Sequence, residues 1–255
     1  MQIDSYTSPD AEALLLVGEE RLGRKRRRSR EIATNGIGAA SFLAAAVLLA
    51  AIAPWQRPFS ISSTVLVLAV WVLVERVKFP VAGGWTHPAM LVFVPALFVL
   101  PTPIVPLIAM LALLLRRAPD LLQGRARPGM VLPLIADAWF TLGPALVIVL
   151  TGTQRFAWSH WPVYALALVA QVLVDMTGSI TWSWIGEGIN PRVQLPLLTW
   201  VYVVDAILAP LGLLIAAAAV NRPALVLLAL SPTAMLVLFA RERKQRLDDT
   251  LALST

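Results

Sequence analysis

The chain has 255 residues, 58% of them hydrophobic and 14% charged, with a mean hydropathy of +0.75, whereas soluble domains run at roughly 45–50% apolar and 25% charged. That balance excludes an ordinary soluble domain and turns length into a count of membrane spans of about 20 residues each. The formal net charge is +6 and cysteine is absent, which excludes disulfides, thiolate metal sites and a cysteine nucleophile.

The first apolar run starts only near Ile37, so residues 1–36 form a polar leader and not a cleaved secretory signal. Within it, Ser8 and Pro9 read as the N-cap and first position of a short helix. That helix runs into seven Lys/Arg between Arg21 and Arg30. This cluster, with Arg24, Lys25, Arg26, Arg27 and Arg28 at its centre, lies within a few residues of a span. Anionic headgroups are then its natural partner, which favours a topology anchor over nucleic-acid binding.

Charge-poor intervals predict about eight membrane segments between residues 37 and 240, at 37–54, 58–74, 89–100, 104–115, 131–151, 161–185, 195–219 and 223–240. The expected fold is all-α, a polytopic transmembrane bundle. Its third and fourth segments are short, because Pro95, Pro101, Pro103 and Pro106 break the apolar run from Met90 to Leu115. They are either one broken span or a re-entrant pair that turns back. Positive-inside counting favours the pair: Arg116, Arg117 and the run "RERKQR" then join the leader on the cytoplasmic side, leaving Arg57, Arg155 and Arg222 opposite. Both termini are accordingly expected in the cytoplasm. Trp55, Trp158, Trp161 and Tyr164 are expected near the outer interface, and Trp182, Trp184 and Trp200 near the inner one. The stretch "ERVKFPVAGGWTHP", residues 75–88, is the longest irregular element and reads as a connector or a partly re-entrant segment.

Polar chemistry inside the predicted bilayer is confined to Asp137, Asp175 and Asp205. An intramembrane carboxylate is costly and marks a candidate functional site. Helical spacing adds Gln171, one turn from Asp175, and Tyr202, three residues before Asp205. No Lys or Arg lies at matching depth, so these residues form a candidate polar pocket for a cation, a proton or an amine. The alternatives are single burial of each aspartate with a neutral partner on a neighbouring helix, or an ion pathway. No H-E-x-x-H, G-x-S-x-G or P-loop spacing occurs. His87 and His160 fall near opposite interfaces, so no catalytic residue, metal site or cofactor is expected.

After Phe239 the apolar run stops, and residues 241–255 read as the start of a cytoplasmic helix. Leu247 and Leu251 fit d and a positions of a heptad on a seam that is short and polar, enough to join a second copy in a larger assembly but not to form a coiled coil alone.

The segments "GWTHPAMLVFVPALFVLP" (84–101), "DAWFTLGPALV" (137–147), "VYVVDAILAPLG" (201–212) and "FARERKQRLDDTLALS" (239–254) resemble the multi-span sensor region of bacterial HD-GYP cyclic di-GMP phosphodiesterases and, more loosely, of GGDEF diguanylate cyclases. No HD, GYP or GGDEF residues are present. The resemblance therefore implies a sensory input module in the bacterial inner membrane. Its C-terminal helix would dimerise and drive a cytoplasmic cyclic di-GMP signalling domain. A small-molecule transporter or substrate-capture component is the alternative, and a purely structural membrane protein is a third reading, suggested by the small residues of "GAASFLAAAVLLAAIA".

Overall fold

The computed structural model describes residues 9–81, 84–125 and 128–252; the side chains of 9–28 and 243–252 lie outside that description. The side-chain roles expected for Arg24, Lys25, Arg26, Arg27, Arg28, Leu247 and Leu251 therefore fall outside the described residues. The backbone forms helices α1 (Pro9–Ile52), α2 (Ile61–Glu75), α3 (Met90–Val99), α4 (Val105–Leu122), α5 (Val131–Asp137), α6 (Leu142–Leu150), α7 (Trp161–Trp182), α8 (Pro191–Ala219) and α9 (Leu230–Ala252). The fold is an all-α bundle with one small addition, an antiparallel hairpin of β1 (Phe79–Val81) and β2 (Gly84–Thr86) that pairs Phe79 with Thr86. This hairpin occupies the irregular stretch 75–88.

Every predicted segment is helical. Five stretches are long and apolar enough to cross a membrane: Ser29–Ile52, Val131–Leu150, Trp158–Gly186, Pro191–Ala219 and Pro223–Glu242. The chain is a membrane protein. Three of the five depart locally from α geometry. A 3-10 turn at Ala138–Thr141 joins α5 to α6, a π-helical turn at Ser183–Glu187 ends α7, and a 3-10 stretch at Pro223–Ala229 leads into α9. The leader does not form a separate short helix as expected. It is continuous with the first span in the 44-residue α1, because no proline or helix-terminating glycine pair interrupts the run between Pro9 and Ile52.

The proline-rich third and fourth segments turn back. Pro101 lacks an N–H and pushes Leu100 into extended geometry, φ −100 and ψ 164, which ends α3 after 10 residues. A single 3-10 turn, Thr102–Ile104, reverses the chain into α4, and Thr102 Oγ1 donates to Leu97 O at 2.8 Å. The start of α3 and the end of α4 meet again where Arg116 Nη1 stands 2.8 Å from His87 Nε2. Helix α5 thus starts from the end of the bundle at which α2 stopped. At this near end Arg30 Nη2 donates to Ile185 O at 2.8 Å, tying α1 to the end of α7. At the far end Gln154 Nε2 donates to Pro54 O at 3.0 Å, tying the α6–α7 loop to the exit of α1.

Helix α3 is the centre of the core. All ten residues from Met90 to Val99 are buried, as befits a helix that is apolar on every face. It packs on α8 at Gly212, where an added Cβ would stand 2.6 Å from Met90 O and 2.9 Å from Val94 Cβ. Helices α6 and α7 approach equally closely at Gly143, where a Cβ would stand 2.6 Å from Ala170 O. Apolar lipid gives little hydrophobic drive for helix association, so such close backbone contact is a main source of packing energy. Toward the far end, Phe98 meets Phe156 and Tyr164 edge-on at 5.3 and 5.2 Å. Tyr164, in the first turn of α7, is buried in the bundle; its hydroxyl donates to Ala157 O and accepts from Ala157 N–H, both at 3.0 Å. Trp55, Trp158, Trp161, Trp184 and Trp200 are exposed.

Candidate functional site

Helices α7 and α8 carry the polar layer. The π-helical turn after α7 ends at Gly188 with φ +75, and Asn190 caps α8 by accepting from Arg192 N–H at 2.9 Å. A left-handed glycine and an Asn cap are what a tight reversal between helices requires. The reversal sets the two helices antiparallel and places Asp175 opposite Tyr202 and Gln171 opposite Asp205. Tyr202 donates its hydroxyl to Asp175 Oδ2 at 3.0 Å, and Gln171 Nε2 donates to Asp205 Oδ2 at 3.3 Å. The partnerships thus run across helices. Along-helix pairs of Gln171 with Asp175 and of Tyr202 with Asp205, suggested by spacing, are replaced because the facing helix offers a donor at bonding distance.

Gln171 is the most constrained of this group. It is 3% exposed, its Nε2 also approaches Met90 Sδ at 3.2 Å, and its Oε1 is buried without a hydrogen-bond partner. A buried, unpaired acceptor costs on the order of 1–3 kcal/mol.

Two cavities, each of about 260 Å³, flank this layer. The polar one lies toward the near end and is lined by Glu31 and Asn35 of α1, Asp137 of α5, Asp175 and Ser179 of α7, and Gln194 of α8. Asp137 reaches it from the last position of α5, where the backbone tightens into the 3-10 turn. Gln194 Nε2 donates to Ser183 Oγ at 3.1 Å, while its Oε1 is buried and unpartnered. Among the described residues no Lys, Arg or His lines this cavity. Asp137 and Asp175 therefore share one chamber, whereas Asp205 and Gln171 stand on its far side. Such an arrangement favours a cation or a hydrogen-bond donor. Among the described residues no group of three or more His, Cys, Asp or Glu is placed to hold a metal ion.

The apolar cavity lies on the other side of Gln171. It is walled by α3, α6, α7 and α8, with Met90, Phe98, Tyr164, Gln171 and Ala209 among its lining.

A third polar cluster closes the near ends of α2, α3 and α4. Arg116 Nη1 donates to Glu75 Oε2 at 2.8 Å and stands 2.8 Å from His87 Nε2. His87 Nδ1 lies 3.0 Å from Val77 O. An arginine only donates, so Nε2 accepts and the proton sits on Nδ1, where it is donated to Val77. His87 is thus neutral, and the 3.8 Å approach of its Nδ1 to Glu75 Oε2 is not an ion pair. Burial, with the Arg116 charge beside it, lowers the His87 pKa to about 4. Arg116, read from the sequence as a topology anchor, spends its guanidinium on Glu75. Arg117 does face outward and pairs with Asp120 at 3.3 Å. Glu75 and His87 were missed as site residues; the signal for them was the proline-forced reversal, which must bring the ends of α2, α3 and α4 together.

No protein-family model, no curated protein and no solved structure matches the chain.

Proposed function

We propose that the chain is a membrane-embedded sensory or regulatory module that reads a cationic or amine-bearing ligand and passes its occupancy to a cytoplasmic partner. The observation that carries this reading is the polar cavity, where α1, α5, α7 and α8 present Glu31, Asp137 and Asp175 with no Lys, Arg or His among the described lining residues. Anything bound there touches the start of α8 and also α1, which leaves the bundle toward the leader. The near end is the cytoplasmic one in this reading, because the basic runs of the leader and of α9 belong with it. The resemblance to sensor regions supplies the class of output: a cyclic di-GMP signalling domain in a bacterial inner membrane, driven by α9 in a dimer.

Helix α9 continues to Ala252, past the apolar run that stops after Phe239. The reading therefore predicts sensitivity to helix phase. With a diguanylate cyclase reporter fused after Thr255, seven residues inserted between Arg246 and Leu247 should preserve basal output, while four should shift it. Equal output from both insertions would remove α9 as the transmitter.

One observation favours transport instead: α3, the first half of the proline-broken α3–α4 pair, contributes wall to the apolar cavity, as discontinuous helices do in many substrate sites. Accumulation of a radiolabelled alkylamine in proteoliposomes would establish that second reading.

A further inference from the structure

We infer that the cleft over the Glu75–Arg116 pair is an anion site for the phosphate monoester of a membrane lipid, held by Arg76 and Lys78. The site is distinct from the polar chamber, and the inference depends neither on a ligand in that chamber nor on α9 being a transmitter.

Charge dictates the sign of the ligand. The cleft has a volume of about 210 Å³ and is lined by Glu75 and Arg76 at the end of α2, Lys78 just ahead of β1, and Arg116, Arg117 and Asp120 of α4. Both carboxylates are already spent. Glu75, its side chain 3% exposed, takes the Arg116 guanidinium at 2.8 Å, and the more open Asp120 takes Arg117 at 3.3 Å. Arg76 and Lys78 are exposed and line the same cleft, and no carboxylate among the described residues stands within ion-pair distance of either. His87, behind Arg116, is neutral and adds no charge. Four cations against two carboxylates leave a surplus of two positive charges, on the two side chains that a headgroup can reach.

The donors dictate the chemical group. Arg76 offers a planar fork of N–H groups and Lys78 a compact ammonium, a pairing suited to several oxygens on one small centre. A phosphate monoester brings three such oxygens and a charge of roughly −1.5 to −2 at pH 7, which matches the surplus. A phosphodiester brings only a single charge, and a choline headgroup returns a cation to a cleft that already has too many. The surroundings dictate that the phosphate belongs to a lipid. The outward face of α2 runs through Ile61, Val65, Ala69 and Leu73, all exposed, and reaches Arg76 three residues later. On the neighbouring α4, exposed Leu111 and Leu115 lead up to Arg116 and Arg117. Apolar stripes on two adjacent helices of a membrane protein thus end at the cleft. An acyl chain lying on either stripe carries its headgroup to the unanswered charges, in the manner of basic pockets between membrane helices.

Dioleoyl phosphatidic acid, phosphatidylglycerol and phosphatidylcholine, identical in their chains, separate the headgroups. The full chain is held in neutral maltoside micelles, which carry no surface charge of their own, and the first bound lipid is titrated by native mass spectrometry. Phosphatidic acid should bind about tenfold or more tighter than phosphatidylcholine, with phosphatidylglycerol between them. R76Q/K78Q, at two exposed positions outside the core, should erase most of that preference. R192Q/R222Q removes the same charge from exposed positions that do not line the cleft, and should leave the preference unchanged. D120N frees Arg117 and should tighten phosphatidic acid by about twofold to fivefold, a gain that a damaged fold would not give. Equal affinities for phosphatidic acid and phosphatidylcholine, or equal losses in the two double variants, would reduce the cleft to diffuse surface charge and overturn the inference. Phosphatidylglycerol as tight as phosphatidic acid would overturn the monoester assignment, and D120N without a gain would remove the cleft as the site. Glycerol 3-phosphate at the lipid's concentration should not displace phosphatidic acid; displacement would show a site for soluble phosphate and overturn the lipid as its source.

Discussion

Carboxylates are buried in two different ways in this bundle. Glu75, 2% exposed, is held by the Arg116 guanidinium at 2.8 Å, and His87 completes the shell around that arginine. Asp175 and Asp205 have only the neutral donors Tyr202 and Gln171, at 3.0 and 3.3 Å. The first cluster is closed: its charges answer one another and lock three helix ends together. The second is open, with a cavity on either side and an acceptor to spare. The contrast sets charges that answer one another against carboxylates held by neutral donors, on the same α-helical scaffold.

Removing the cation from the closed cluster should have the largest effect. Arg116→Met leaves Glu75 buried and unpaired, at a cost of about 3–5 kcal/mol. The melting temperature of the detergent-solubilised protein should fall accordingly. Adding Glu75→Gln in the same chain should recover most of the loss. If Arg116→Met costs no more than Tyr202→Phe, the two clusters are equivalent and the contrast breaks.

The next effect is a pH dependence confined to the closed cluster. Unfolded His87 takes its proton near the ordinary value of about 6.5, whereas in the folded protein its pKa is lowered to about 4. As pH falls, the unfolded state therefore binds the proton first. The contribution of His87 is fully present above pH 6.5, declines between about 6.5 and 4, and is flat below. It amounts to at most about 3 kcal/mol. His87→Gln should flatten that slope in urea titrations at pH 7 and pH 4.5; an unchanged slope would place its origin elsewhere.

Smaller effects belong to the open cluster. Tyr202→Phe removes one hydrogen bond and should cost about 1 kcal/mol. Asp175→Asn and Asp205→Asn should be non-additive by at least about 0.5 kcal/mol if the two pairs act as one layer. Strict additivity in a double-mutant cycle would return each aspartate to a separate structural role.

The positions of the spans were legible from hydropathy, and the reversal at Pro101–Pro106 was legible from proline chemistry combined with the distribution of arginines. The two polar clusters were legible to different degrees. Asp137, Asp175 and Asp205 stand out against an apolar background, so the sequence nominates them without help. Their partners do not, because spacing along a helix cannot say which residue of the next helix faces it. Tyr202 therefore belongs to Asp175 and not to the nearer Asp205. Glu75 and Arg116 are 41 residues apart and each flanks an apolar run, so each read as a surface charge. Only the closure of α3 against α4 turns them toward each other. Burial of Tyr164 was hidden for a related reason, since an aromatic near a helix start looks interfacial until its hydroxyl finds the Ala157 backbone.

The continuity of α1 has a mechanical consequence. At about 1.5 Å per residue its 44 residues extend for about 66 Å, against a hydrocarbon thickness of about 30 Å. The stretch from Pro9 to Arg28 adds about 30 Å of unbroken helix ahead of the span that begins at Ser29. Glu31 and Asn35, which line the polar chamber, sit just beyond that junction. A pivot of about 5° there would sweep the tip of the helix through roughly 3 Å. A displacement too small to disturb the packed core around α3 would thereby be geared up at the helix tip.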